Sequence, residues 1–598
     1  MKLLINPRFF TSSCKTTQFS LSLNPFKFSP LFAQPSRNQK RGALRFRHPC
    51  YTFCLSRSFY IKATMCSSTP SIHVKDYIDD NDLTEKEKLI FKFLLEVVGH
   101  FKLKTKLRVA GGWVRDKLLG KECYDIDIAL KKMSGKEFCD KVNEYLLLPE
   151  AKEFCDNVNE NLPSPQGVGV IKSNPDQSKH LETATMRLFD VWIDFVNLRS
   201  EEYTDKKIRI PTKTFFVLQK FGKAKEDAKR RDLTINSLFY NINTSKVEDK
   251  TQRGIADLKA GKIVTPLPPK DTFVDDPLRV LRAIRFGARF GFVLDEKLKM
   301  AATDNDVRNA LAAKISKERI GHEIDLMISG NDPVVAMTYI SELQLFWTVF
   351  SLPNVVDPPT LEGCERLCVA YMDTTWRFLQ SLGSSSFNDD QRRLSLYAAL
   401  LLPFRNTVYK DTKGKRIPVV SYIFRSSLKL KSSDADTVMN LHIAAQKFLS
   451  FIPSLISDDN SQIVEAIKKK VTIDVPVSSK LRILSGLLLR EIKEFWHAAL
   501  VLSLLLYPIE DTELNEIIEL YHRIETAILE MGLDKVWDLK PLVNGKEIMN
   551  ILQLKTGGPI VREWQQKLLE WQLAHPSGSA EDCVDWMRQT QSKRARTE

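Results

Sequence analysis

Histidine and cysteine are scarce in this chain of 598 residues, and neither forms a cluster with metal-ligand or redox spacing. The nine histidines include no His-x-x-x-His pair, and the ten cysteines include no Cys-x-x-Cys pair. Structural zinc sites and disulfide frameworks depend on such spacings, so the sequence predicts neither. Cys364 and Cys368 share one helical face, and we interpret them as reduced core residues.

Long apolar segments are also missing. The longest runs from Ala498 to Leu506 and is interrupted by Ser503, whereas a bilayer-spanning helix needs about 20 consecutive apolar residues. No compact apolar core follows Lys2, as a secretory signal would require. The sequence therefore predicts no membrane association, and its 43% apolar content is enough for the cores of several domains.

Acidic residues are absent from residues 1–64, which contain eleven lysine or arginine residues and many serine and threonine residues. This composition is typical of an organellar transit peptide, so we predict a disordered leader that directs the protein to mitochondria, chloroplasts or both. Initiation at Met65 would give a second form in the cytoplasm and nucleus. Without the leader the net charge falls from +14 to +3, so a surface for nucleic acid must be a local cluster of arginine and lysine.

Two glycines and two aspartates form the first informative motif, in which Gly111-Gly112-Trp113-Val114-Arg115-Asp116 precedes Asp125-Ile126-Asp127. The glycines predict a turn that opens a helix and cradles phosphate, and Tyr124 to Leu130 reads as a strand. Residues i and i+2 of a strand share one face, so Asp125 and Asp127 would project together and suit Mg²⁺. Taken alone, both patterns are also common in solvated turns and strand edges.

A third acid, Asp194, lies in a second predicted strand from Val191 to Leu198. It is a candidate metal ligand beside the first two aspartates. A role at a strand edge, or in orienting a ligand, fits the sequence equally well.

Asp275-Asp276-Pro277-Leu278-Arg279 begins a predicted helix, with Asp276 as cap and proline at the first helical position. Its arginines Arg279, Arg282, Arg285 and Arg289 fall on one face, opposite Val280, Leu281, Ile284 and Ala288. A solvated face usually mixes lysine and glutamate, so a face of arginines alone indicates a polyphosphate or nucleic-acid ligand.

Asp276 and Arg279 stand three positions apart and offer a carboxylate acceptor beside a fork of guanidinium donors. Cytosine and adenine present an amino donor beside ring acceptors and match this pair. Guanine and uracil present the reverse pattern, which would leave buried groups unpaired at about 1 to 3 kcal/mol each. The pair would therefore accept C and A and reject G and U.

Four ordered motifs now carry a family resemblance. They are the two motifs above together with Arg230-Arg231-Asp232-Leu233-Thr234-Ile235-Asn236-Ser237-Leu238 and Ile315-Ser316-x-Glu318-Arg319-Ile320. Their order resembles that of class II tRNA nucleotidyltransferases, the CCA-adding enzymes, over about residues 85 to 330. The stretch from Asn174 to Thr183 resembles the eukaryotic branch, and the leader favours a plant enzyme.

The resemblance implies an α+β, polymerase-β-like nucleotidyltransferase head followed by an all-α neck, body and tail. This agrees with the mixed α/β pattern before about Asp271 and the long helical segments after it. We place the head at residues 65–245, the neck with its base-recognition helix at 246–335, the body at 336–470 and a tRNA-binding tail at 471–598. In the body and tail, the cluster Arg425, Lys429 and Lys431 and the helix after Gly557-Gly558-Pro559 are candidate tRNA contacts, although tryptophans at i and i+7, as in Trp564 and Trp571, are more often core.

The resemblance also assigns roles to single residues. Asp125 and Asp127 would be catalytic and would hold two Mg²⁺ ions, with Asp194 as a candidate third ligand. The nucleotide-binding residues would be Gly112, Arg115, Arg231, Asp276, Arg279, Arg282 and Arg285. Asp275 stands where the family often has glutamate.

The implied activity is the addition of CCA to tRNA 3′ ends from CTP and ATP without a nucleic-acid template. In the expected reaction, the tRNA 3′-hydroxyl attacks the α-phosphate and pyrophosphate leaves. Shared motifs leave three alternatives: a poly(A) polymerase of the same superfamily, a CC-only or A-only enzyme, and an inactive RNA-binding module. The sequence makes no prediction about oligomeric state.

Overall fold

The structure is a computed structural model that describes residues 73–165, 167–171, 183–198, 222–383, 387–456, 471–507 and 514–594. The predicted leader at residues 1–64, Met65 and the eukaryote-like stretch before Thr183 lie outside the described residues.

Seven strands form one mixed sheet in the first part of the described chain. They are β1 (Leu107–Ala110), β2 (Ile126–Leu130), β3 (Gly169–Ile171), β4 (Thr183–Leu188), β5 (Val191–Asn197), β6 (Leu238–Asn241) and β7 (Lys246–Asp249). The spatial order is β3-β4-β5-β2-β1-β6-β7. Only β2 and β5 are parallel neighbours, and every other pair in this sheet is antiparallel. The last strand extends past residue 245, so the sheet ends four residues beyond the predicted head boundary.

Five helices accompany this sheet: α1 (Glu85–His100), α2 (Gly112–Leu118), α3 (Gly135–Leu146), α4 (Pro149–Asn157) and α5 (Ala224–Arg230). Thr84 caps α1 by accepting a hydrogen bond from the Glu87 backbone N–H. The buried Glu87 carboxylate in turn accepts hydrogen bonds from Trp113 Nε1 at 2.6 Å and Lys117 Nζ at 2.7 Å. These contacts fix α2, and with it the glycine turn, against α1.

Helices dominate the remainder of the described chain, as predicted. They are α6 (Gly254–Lys259), α7 (Pro269–Asp275), α8 (Leu278–Phe290), α9 (Glu296–Ala302), α10 (Asn305–Lys314), α11 (Lys317–Ile328), α12 (Pro333–Glu342), α13 (Phe346–Val349), α14 (Cys364–Ser381), α15 (Asp389–Leu400), α16 (Val419–Tyr422), α17 (Ser432–Leu449), α18 (Ile452–Ile456), α19 (Val477–Ile492), α20 (Trp496–Leu506), α21 (Leu514–Glu530), α22 (Gly545–Ile551), α23 (Pro559–Ala574) and α24 (Ala580–Arg594). Two small two-stranded sheets interrupt them, β8 (Lys262–Ile263) with β9 (Val293–Leu294), and β10 (Val408–Lys410) with β11 (Arg416–Pro418). Among the described helices, none combines the length and the apolar character that crossing a membrane requires.

Helix α8 carries the predicted arginine face and packs by the opposite one. Val280, Leu281 and Ile284 are fully buried, as the periodicity predicted. The helix begins at Leu278, one residue later than predicted, and the Asp276 carboxylate accepts a hydrogen bond from the Leu278 backbone N–H at 3.3 Å. Its neighbour α11 lies close to residues further along the chain, because a Cβ on Gly321 would meet the Leu428 carbonyl oxygen at 1.8 Å. Only glycine permits that approach.

Two sequence interpretations in the body and tail agree with the structure, one through the burial of tryptophans and the other through the state of the cysteines. Trp564 and Trp571 are 3% and 5% exposed, so they are core residues rather than tRNA contacts. Cys364 and Cys368 are reduced, as are the other cysteines of the described segments. Arg425 lies at the surface and pairs with Asp436 at 2.6 Å.

The body contains a buried histidine that makes stability depend on pH. His442 is 3% exposed, and its Nε2 lies 2.7 Å from the Ala398 carbonyl oxygen. Burial lowers its pKa from 6.5 to about 4. Its contribution to the free energy of unfolding is therefore complete above pH 6.5 and falls as the pH drops toward 4, because the unfolded chain binds the proton first.

We expect the wild-type protein to lose about 2 kcal/mol more unfolding free energy than His442→Gln between about pH 7.5 and about pH 5. Glutamine cannot take up the proton, yet its amide can still donate to Ala398. Urea unfolding of both proteins at the two pH values measures the difference. Equal losses in the two proteins would show that His442 is not the responsible group.

Candidate active site

Two of the three candidate carboxylates lie side by side in the sheet. Asp127 in β2 and Asp194 in β5 are paired in register on parallel neighbouring strands. Thr185 Oγ1 on β4 donates to Asp194 Oδ1 at 2.6 Å and orients that carboxylate. Asp125 immediately precedes β2, because the strand begins at Ile126 rather than at the predicted Tyr124.

These carboxylates concentrate negative charge. The pKa of Asp127 is raised to about 7, because burial, the neighbouring Asp125 and Asp194 together outweigh the opposing charge of Arg231. Burial and Asp194 also raise the pKa of Asp125. A divalent cation would relieve this repulsion, and oxygen-only ligands suit Mg²⁺.

Within the described segments, no three carboxylate, thiol or imidazole groups converge into a preformed metal cage. Mg²⁺ usually binds through one or two carboxylates together with water and substrate phosphates, and Asp125 and Asp127 are the two carboxylates that the sequence predicted for it. The donor set therefore fits Mg²⁺ that is completed by a nucleotide.

The glycine turn lies beside these acids. Gly111 has a φ of +76°, which side chains rarely adopt, and a Cβ there would lie 2.8 Å from Arg231 Nη1. Arg231 donates to Asp227 at 3.1 Å and to the Asn236 carbonyl oxygen at 3.3 Å. Its charge also acts on Asp127. Gly111, Arg231 and Asp127 are thus close to one another, and Gly112 begins α2 beside them.

Arg115 occupies a different place from the other candidate arginines. It is 3% exposed and donates through two nitrogens to Asp116, at 2.8 and 2.9 Å, and through the third to Asn236. The guanidinium also lies over the rings of Phe286 and Phe290, with centroids 4.9 and 4.7 Å away. In this structure Arg115 ties α2 to α8, so we assign it to positioning rather than to direct phosphate contact.

Asp276 and Arg279 meet at the start of α8. Their closest side-chain atoms are 3.9 Å apart, and Arg319 from α11 approaches Asp276 at the same distance. Arg279 also donates to the Arg230 carbonyl oxygen at 2.8 Å. The predicted acceptor and donor therefore stand together, with Arg319 of the fourth motif, to which the sequence assigned no role, as a second cation.

Carboxylates from other elements meet the arginine face of α8. Arg282 Nε donates to Asp232 at 2.8 Å, and Arg285 Nε donates to Glu323 of α11 at 2.6 Å. Burial alone would raise the pKa of Asp232, but Arg282, Asn236 and Arg279 together outweigh it and hold the pKa well below its ordinary value. The predicted face of arginines alone is thus balanced within the protein, so Arg282 and Arg285 hold α8 in place against its neighbours.

Residues 230 to 232 connect the two halves of the site. The Arg230 carbonyl holds Arg279, Arg231 lies beside Gly111 and Asp127, and Asp232 holds Arg282. Asn236 adds a further link by donating to Asp232 at 3.2 Å and accepting from Arg115. Glu323 was missed as a site residue, and Asn236 was quoted in the third motif without a role, since no spacing rule connects them to Arg285 and Arg115, which lie 38 and 121 positions away.

Comparisons with known proteins agree with this architecture. Residues 107–264 match the family model of the poly A polymerase head domain. The tRNA nucleotidyltransferase cca2 of Schizosaccharomyces pombe is 34% identical over 519 residues, which cover 85% of this chain and 98% of that protein. The mitochondrial CCA tRNA nucleotidyltransferase of Saccharomyces cerevisiae is 33% identical, over 81% of this chain and 87% of the relative.

Two solved structures share the fold. The Bacillus stearothermophilus CCA-adding enzyme in complex with CTP aligns with a TM-score of 0.53 at 18% identity, over 86% of this chain and 100% of that one. The Thermotoga maritima CCA-adding enzyme complexed with tRNA aligns with a TM-score of 0.52 at 17% identity, over 84% and 95%. These similarities confirm the predicted polymerase-β-like head with a helical remainder.

Proposed function

This chain belongs to the class II CCA-adding tRNA nucleotidyltransferases of the eukaryotic type, and we propose that it adds C, C and A to tRNA 3′ ends from CTP and ATP without a template. The observation that carries this proposal is the single segment, residues 230 to 232, that joins the carboxylate pair to the base-reading pair. Contacts within the protein thereby hold the carboxylates and the base-reading pair in fixed positions relative to each other.

In the proposed reaction, Asp125 and Asp127 would hold Mg²⁺, with Asp194 as the candidate third ligand. Bound there, Mg²⁺ would lower the pKa of the tRNA 3′-hydroxyl and neutralise the triphosphate. Gly111 and Gly112 let the backbone approach the phosphates, and Arg231 offers them a guanidinium. The hydroxyl attacks the α-phosphate in line, a new phosphodiester bond forms and pyrophosphate leaves.

Base choice falls to Asp276 and Arg279. The carboxylate accepts from the amino group of cytosine or adenine, and the guanidinium donates to the ring acceptors. Arg282 donates to Asp232 and Arg285 donates to Glu323. These contacts keep α8 in a fixed position relative to the proposed metal-binding carboxylates. Asp275 lies 3.7 Å from Arg279, close enough to bias its orientation.

We further propose that the head acts with a helical neck, body and tail near the boundaries given above, and that the tail binds tRNA. We favour mitochondria as the destination, because the yeast relative is a mitochondrial protein and residues 1–64 have the composition of a transit peptide. Chloroplast, cytoplasmic and nuclear forms stay predictions.

The product distinguishes this function from its alternatives. Residues 65–598 are incubated with Mg²⁺ and a tRNA that lacks CCA, with CTP and ATP together and each alone, and the product ends are sequenced. We expect CCA and then a stop. Long adenosine tails from ATP alone would instead establish the poly(A) polymerase that the head-domain match also allows, and no extension would leave an RNA-binding module.

A further inference from the structure

We propose that Trp192 is a stacking platform for the last base of the RNA strand that is extended, that is, the base of the nucleotide whose 3′-hydroxyl reacts. The assignment rests on the proposed function, because it concerns the RNA end. Trp192 is 60% exposed although it lies in β5. Tryptophan is highly buried on average, so an exposed indole on a strand is unusual.

Strand geometry places this indole at the reaction centre. Residues i and i+2 of a strand share a face, so Trp192 lies on the same face as Asp194. Ile126 and Ile193 are register partners and are both buried on the opposite face. Trp192 therefore lies level with Asp125, the residue just before β2, at the ends of two neighbouring strands that are about 4.8 Å apart.

The strand order indicates which reactant the indole meets. The nucleotide side of the site lies toward β1 and β6, because Gly111 follows β1 and Arg231 lies over the ring of Phe239 in β6. Trp192 lies in β5 with Asp194, one strand farther from β1 and β6 than Asp127 in β2, and it faces β4, where Arg187 is its register partner. A base on this indole therefore belongs to the second reactant, the RNA end, and not to the incoming nucleotide.

The chemistry of the platform fits that reactant. Across the described segments, the Trp192 side chain makes no ring contact or hydrogen bond. The neighbouring Arg187 is exposed at the strand surface and paired with Asp190 at 3.1 Å. An indole face stacks on any base, because every base has a π-face. The proposed activity needs this tolerance, since the last base of the RNA changes as nucleotides are added.

Fluorescence tests the contact without the reaction. A tRNA lacking CCA carries 2-aminopurine as its last base and is titrated with enzyme in the absence of Mg²⁺. We expect wild type to quench the fluorescence through stacking, Trp192→Phe to retain most of the quenching, and Trp192→Ala to lose it. Tyr77→Ala, which removes an equally exposed aromatic ring elsewhere, serves as the matched control and should behave as wild type.

Kinetics then separate the two reactants. We expect Trp192→Ala to raise KM for the RNA by about 5- to 100-fold and to leave KM for CTP unchanged. With the wild-type enzyme, an RNA whose last nucleotide is abasic should show a KM raised by the same factor. With Trp192→Ala, removing that base should not raise the KM any further. A rise in KM for CTP alone, or unchanged quenching in Trp192→Ala, would overturn the platform. Trp192-dependent quenching by a protein that extends no RNA would support the platform and reject the proposed function.

Discussion

Asp127→Asn is expected to lower kcat for nucleotide addition by about 10³-fold or more, with little change in tRNA affinity. The substitution keeps the shape of the side chain and removes the charge that would hold Mg²⁺. Asp127 is register partner to Asp194 and feels the charge of Asp125, so the loss falls at the centre of the carboxylate group. Single-turnover extension of a tRNA lacking CCA measures the rate, and filter binding measures the affinity.

The same substitution should stabilise the metal-free protein above pH 7. The pKa of Asp127 is raised from 3.8 to about 7, so the folded protein binds the proton more tightly than the unfolded chain does. The free energy of unfolding therefore decreases as the pH rises between these values, and the charged carboxylate destabilises the fold most above pH 7. Asparagine removes this penalty, which is on the order of 4 kcal/mol for a shift of about three pKa units.

Calorimetry at about pH 8 with and without Mg²⁺ separates these effects. Mg²⁺ should raise the melting temperature of wild type and leave that of Asp127→Asn nearly unchanged. Asp140→Asn, which alters an exposed carboxylate on α3, is the control and should match wild type in rate and stability. Substantial activity in Asp127→Asn would remove Asp127 from the catalytic machinery.

Local patterns predicted much of this site because they depend on local geometry. The two-residue repeat of a strand predicted the face on which Asp127 lies. The 3.6-residue repeat of a helix predicted that the buried face of α8 lies opposite its arginines. Aspartate followed by proline predicted the start of α8 to within one residue, although Pro277 rather than Asp276 is the N-cap. Each of these predictions needs only residues within one or two turns of each other.

Contacts between distant segments could not be predicted in this way. Arg282 meets Asp232 across 50 positions, and Arg285 meets Glu323 across 38. Without these partners the arginines resembled free ligand donors, whereas in the fold they hold helices together. Trp192 escaped notice for a similar reason, because its exposure depends on which elements cover the sheet.

Asp276 and Arg279, the proposed base-reading residues, give the second large expected effect, which concerns selection among nucleotides. A mismatched base would leave two hydrogen-bonding groups unpaired at about 1 to 3 kcal/mol each, which corresponds to about 30- to 10⁴-fold discrimination. Arg279→Ala should therefore reduce kcat/KM for CTP and ATP by about 10²-fold and let UTP and GTP compete to within about tenfold. Measuring kcat/KM for all four nucleotides gives both quantities.

Arg231→Ala is the matched control, because Arg231 lies on the same connecting segment but beside Gly111 and Asp127 rather than beside the base. Its removal should lower kcat/KM for all four nucleotides by a similar factor and leave their ratios unchanged. Arg279→Lys adds a second test, since lysine retains the charge without the fork of donors that matches a base edge. It should resemble Arg279→Ala in selectivity while retaining more activity. If Arg279→Ala instead slowed all four nucleotides equally, Arg279 would act only by holding the Arg230 carbonyl, and base selection would have to lie elsewhere in the site.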